Sequence, residues 1–203
     1  MGRRISKLLR HIRYRGTAGT EIIEFAVSLP LLVILAVGIY DFGTAFTLKH
    51  KLVGAVRDGA RIASSQHHPP NPSVNQRCGV PSSICTIRDI VASDLQTSIG
   101  NDCGLATTNG GYSGGTTFTW TFTGSGNCSN FSLKIERAFI DPTNVTTLAD
   151  PFDDSHAYKI ENTRITLVYP YQWQFGKAFQ LLGSNANFLK STITVSCVMQ
   201  NLD

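Results

Sequence analysis

The sequence predicts an α+β protein: a long N-terminal transmembrane α-helix, then a small extracytoplasmic domain with an antiparallel sheet and one or two short helices. Three observations predict it. Phe25 opens an apolar run that reaches Tyr40. Helical spacing of apolar residues continues beyond that run to Ser64. After a Pro-rich break, several segments alternate apolar and polar residues with the period of a strand.

The first element is a basic leader, residues 1–19. It holds six Lys/Arg (Arg3, Arg4, Lys7, Arg10, Arg13, Arg15) and no acid. Past Gly19 the chain has 12 basic and 14 acidic residues, so the overall charge of +4 belongs to the leader. A nucleic-acid partner is therefore not expected from the basic pI. Lys and Arg on the amino side of an apolar segment keep that end cytoplasmic, although Lys49, Lys51, Arg57 and Arg61 beyond it soften the rule.

The second element is the helix, residues 20–66. Phe25–Tyr40 alone would cover roughly 24 Å at ~1.5 Å per residue, short of a bilayer core of about 30 Å. Extended from Ile22 to Phe46 it is long enough to cross, with only Glu24 and Asp41 charged inside, both near the interfaces. A buried core helix is the alternative, but Val33–Ile39 is apolar on every face. Phe46, Leu52, Val53, Val56, Ala60 and Ala63 then continue at three- and four-residue steps. Pro30 lacks an amide proton and is expected to bend the helix. Gly38, Gly43, Gly54 and Gly59 offer surfaces for close helix approach, or else merely weaken the helix.

His67-His68-Pro69-Pro70-Asn71-Pro72 ends the helix and forms a linker, residues 67–72. Its adjacent histidines have no third ligand in reach and read as a solvated loop.

Residues 73–203 read as one compact domain. Cys85–Ser98 places Ile87, Ile90, Val91 and Leu95 at helical spacing, and Thr107–Thr116 is a Gly/Thr/Asn turn region. Thr117–Thr123 alternates Phe118, Trp120 and Phe122 with threonines. Phe131–Arg137 sets Phe131, Leu133 and Ile135 on one face; Tyr158–Tyr169 and Ser191–Met199 are two further strands. Phe175–Leu182 reads as a short helix.

All five cysteines (Cys78, Cys85, Cys103, Cys128, Cys197) lie beyond the apolar span, which suits disulfides formed in an oxidising compartment. No close CxxC pair or matching His set is present, so no metal is expected. Two bridges can be drawn in many ways. Cys78 with Cys85 and Cys103 with Cys128 are the short-loop choices. Cys197 sits in an apolar strand pattern and reads as a buried thiol, with an intermolecular bridge as the other reading.

The sequence carries few motifs of chemistry. GxSxG, HExxH, a P-loop and the dinucleotide fingerprint are all absent, so neither an enzyme nor a cofactor is expected. Asp150, Asp153, Asp154 and His156 lack the EF-hand spacing and read as a solvated turn. Trp120, Tyr169, Tyr171 and Trp173 could line a groove, though aromatics in strands are usually core. Glu24 is the residue that demands a chemical account, because a carboxylate at a membrane boundary is costly unless paired or held at the interface.

The order of a basic leader, a small residue, then a carboxylate five places on resembles type IV prepilins. An ordinary secretory signal is cut after its apolar stretch, not before it. Gly19-Thr20 through Phe25, Leu29-Pro30-Leu31-Leu32, Tyr40-Asp41-Phe42-Gly43 and Ala55-Val56-Arg57-Asp58-Gly59-Ala60-Arg61 together resemble the TadE-like minor pseudopilins of tight-adherence (Tad/Flp) pili. The likeness covers about residues 15–64, and Phe25 stands where major Flp pilins commonly carry tyrosine after the glutamate. It implies a prepilin cut by a prepilin peptidase between Gly19 and Thr20 and inserted in the bacterial inner membrane. The new Thr20 amine would pair with Glu24 of a neighbouring subunit. Other pilins, membrane lipid and the inner-membrane assembly platform are the implied partners. The competing reading is an uncleaved single-pass anchor carrying a periplasmic binding or sensing module, which needs neither Gly19 nor Glu24.

Overall fold

A computed structural model describes residues 18–66, 78–113, 118–125, 128–139, 148–149, 157–158, 161–173 and 190–201. The leader to residue 17, the linker 67–72, the acidic loop 150–156 and the expected helix Phe175–Leu182 lie outside the described residues. The chain forms two compact units, 1–43 and 44–203. Helix α1 (Ala18–Ser64) contributes to both and continues through Pro30.

In the first unit the large apolar side chains of α1 are exposed. They range in exposure from 42% at Leu29 to 73% at Val27, and Ile22, Phe25, Leu31, Ile39 and Phe42 fall between. This is the one described helix long and apolar enough to cross a membrane.

The second unit is a two-layer α+β domain. Its sheet has five antiparallel strands in the order β1 (Gly111–Ser113), β2 (Phe118–Thr123), β3 (Ser132–Phe139), β6 (Asn162–Gln172), β7 (Lys190–Gln200). Strands β4 (Leu148–Ala149) and β5 (Ala157–Tyr158) pair separately. Period two sends Trp120, Phe122, Leu133, Ile135, Ile165, Leu167 and Val195 into the core. The opposite face of the sheet carries Lys134, Glu136 and Arg164, with Lys134 Nζ 2.9 Å and Arg164 Nη1 3.8 Å from the Glu136 carboxylate.

Two helical segments complete the core. From Thr44 onward α1 buries Leu52, Ala55, Val56, Ala60 and Ala63, spaced as one helical stripe. Helix α2 (Ser82–Ile99) buries Ile84, Ile87, Val91 and Leu95. It stops at Gly100, whose φ of 81° lets its amide reach back to the Leu95 and Gln96 carbonyls. Gly59 marks where the layers meet: a Cβ there would lie 2.7 Å from Val91 Cγ2 and 3.4 Å from Ile165 Cδ1.

Several element boundaries differ from those expected. Helix α2 starts at Ser82, three residues before Cys85, because Pro81 supplies the fixed φ that suits a helix entry and its carbonyl accepts the Cys85 amide. Gly111–Ser113, read as turn, is a strand held by pairing Tyr112 with Trp120. The segment expected as one strand, Tyr158–Tyr169, is divided: Tyr158 pairs with Leu148, and β6 begins at Asn162. Strand β6 also passes Tyr169 and runs through Pro170 to Gln172. Pro170 lies beyond Val168, the last residue that β3 pairs, and a proline is tolerated at such an edge.

Candidate functional site

Gly19, Thr20 and Glu24 all fall in the first two turns of α1. Glu24 is exposed and lies four residues beyond Thr20 along the helix. A side chain added at Gly19 would meet nothing within 4 Å. Pro30 is exposed as well. The start of the helix thus presents a small residue, two exposed carboxylates (Glu21 and Glu24) and exposed apolar side chains from Ile22 onward.

The glycines divide into two groups. At Gly38, Gly43 and Gly54 the space where a Cβ would sit is open to 4 Å. Gly59 instead seats α1 against Val91 and Ile165 inside its own domain. Its small size allows a close approach of α1 to its own domain.

The structure joins Cys78 to Cys85 and Cys103 to Cys128, the short-loop pairs. Cys103 adopts a φ of 55°, and its carbonyl accepts the Ser125 amide at 3.0 Å. The second bridge therefore ties the loop after α2 to the β2–β3 turn. Cys197 is free and only partly buried, not a fully buried thiol. Its side chain points to the core, but β7 pairs with β6 alone among the described strands, so the core ends beside it.

Of the four aromatics, Trp120 and Tyr169 are buried. Tyr171 and Trp173 are half-buried and meet edge to face with ring centres 5.1 Å apart. Tyr169 and Tyr171 border a polar hollow of about 490 Å³ at the β6–β7 end of the sheet. Among the described residues no group of three or more His, Cys, Asp or Glu could hold a metal ion.

Two buried arginines escaped the sequence reading. Arg137, fully buried, donates through Nη2 to the Ala63 carbonyl at 3.2 Å and to the Gln66 carbonyl. These carbonyls close α1, where unpaired C=O groups and the helix dipole favour a cation. Arg88 donates to the Thr108 carbonyl at 2.8 Å and to Asp89 Oδ1 at 2.5 Å, with its guanidinium 5.9 Å from the Phe122 ring centre. Signals for both were present. Period two from Leu133 and Ile135 puts Arg137 on the inner face, and Arg88 interrupts the Ile84, Val91, Leu95 stripe.

Residues 19–61 match the family model described as TadE-like protein. The chain matches no curated protein and no solved structure.

Proposed function

We propose that this chain, TadE-like over residues 19–61, is a minor pseudopilin needed to assemble a Tad/Flp-type pilus. The observation that carries the reading is a coincidence of positions. The family match covers the start of α1, where Gly19 and Glu24 precede large apolar side chains that the fold leaves exposed. Each such side chain gains about 1.5–3 kcal/mol when it leaves water, so lipid or neighbouring helices must cover the surface.

In this reading a prepilin peptidase cuts between Gly19 and Thr20, and the helix stays in the inner membrane with its amino end cytoplasmic. Unit 44–203 then lies on the periplasmic side, where the two disulfides form. On assembly the apolar half of α1 exchanges lipid for the helices of other pilins, and Glu24 of one subunit meets the Thr20 amine of the next. The assembly platform drives that transfer. The role is structural, with no catalytic step and no cofactor.

Mass spectrometry of the protein from its piliated host tests the first step. The expected product begins at Thr20, and Gly19→Leu should abolish it by blocking backbone approach at the cut site. A product that keeps Met1–Gly19 in assembled pili overturns the proposal and favours the uncleaved anchor.

A further inference from the structure

The hollow at the β6–β7 end of the sheet belongs to neither the apolar helix nor the core. About 490 Å³ in volume, it is bordered by Asn101, Asn130, Tyr171, Gln172 and Ser191 among others, and none of the described lining residues carries a charge. Its walls are fixed in three ways. The Cys103–Cys128 bridge holds the segment that carries Ser129 and Asn130. Asn130 sits at a φ of 71° in the β2–β3 turn, a left-handed conformation that asparagine adopts more readily than most residues. The Tyr171 hydroxyl lies 2.9 Å from Thr44 Oγ1, and the Tyr169 hydroxyl donates to the Asn101 carbonyl at 3.2 Å. Burial first, and the Asp102 carboxylate second, raise the Tyr169 phenol above its ordinary value of 10.0, so it stays neutral.

We propose that this hollow binds a neutral saccharide. Side-chain amides and hydroxyls offer donors and acceptors together, the match that sugar hydroxyls require. A ring with one polar end, Tyr171, packed against Trp173, gives an apolar surface for the C–H face of a pyranose. Among the described lining residues none is a cation that would offset the dehydration of an acidic glycan or a phosphorylated headgroup. Walls that are already ordered spare much of the entropic cost of binding.

The test uses the detergent-solubilised full chain on an array of neutral glycans, acidic glycans and unmodified peptides. Retention on one or more neutral glycans is expected. Asn130→Gly keeps the left-handed turn and removes one amide, so it should weaken that binding roughly tenfold. Ser191→Trp should fill the hollow from an exposed position and abolish binding, with the thermal melt of both variants near that of the parent. No retained neutral glycan, a preference for acidic glycans or peptides, or binding indifferent to both substitutions overturns the proposal.

Discussion

Arg137 shows how one side chain can join two layers. It leaves β3, crosses the core and donates to carbonyls at the C-terminal end of α1. A buried guanidinium is tolerated only while such acceptors hold it. Arg137→Ala would take the guanidinium from those carbonyls, leaving the Ala63 oxygen to the Gln66 amide at 3.4 Å, and open a void, and we expect a loss of about 2–4 kcal/mol in urea unfolding. Arg137→Lys should recover only part of it, because an ammonium cannot repeat the fork geometry. Equal stability of parent and Arg137→Ala would remove the capping role. Asp94 has the opposite sign. Burial, and then the Asp58 carboxylate, raise it above its ordinary 3.8. A raised carboxyl favours the folded state when protonated, so its contribution is complete below 3.8 and is lost as pH climbs through the folded-state value. Asp94→Asn should therefore melt higher than the parent at neutral pH, by about 1 °C because the site is largely solvated, and the two should converge in acid. A melt unchanged at neutral pH would contradict this.

At the scale of elements, the two bridges close loops of different length. Cys103 and Cys128 are 25 residues apart, and Cys78 and Cys85 are 7 apart. By loop entropy alone they contribute about 3.5 and about 2.4 kcal/mol. Cys103→Ser should accordingly lower the melting temperature of the oxidised protein more than Cys78→Ser does; the reverse order would show that local packing outweighs the loop term. The elements were legible in the sequence where one face decides them. The stripes of α1 and α2 and the alternation of β2 and β3 need no partner to be seen. Strand β1 was not legible, because Gly111-Tyr112-Ser113 has little strand character of its own and forms by pairing with Thr119–Thr121. The break before β6 was hidden for the same reason: Tyr158 and Asn162 differ in which distant strand they pair with, and local composition does not record that. At the candidate site, Gly19 and Glu24 could be read from their order along the chain. The hollow could not, since Asn101, Asn130, Tyr171 and Ser191 come together only when the sheet folds.

At the scale of the whole molecule, the question is what covers the apolar half of α1. Lipid alone suffices for an anchor, and neighbouring helices are needed for a fibre. Glu24 separates the two. Glu24→Gln keeps the shape and removes the charge, so insertion should survive and even become easier. A lone helix in lipid holds its carboxylate at the interface and needs no partner charge. In a packed bundle the Thr20 amine of a neighbour would lose its counter-ion, at a cost on the order of 3–5 kcal/mol for a broken buried pair. That corresponds to a decrease of more than a hundredfold in the equilibrium favouring incorporation, at ~1.4 kcal/mol per factor of ten. The processed variant should accumulate in the membrane fraction while its share in sheared pili collapses. Glu24→Asp, shorter by one methylene, should restore part of that share, because it keeps the charge. Equal partitioning of parent and Glu24→Gln with normal piliation would mean that α1 is covered by lipid alone, and the chain would then be an anchor for the domain it carries.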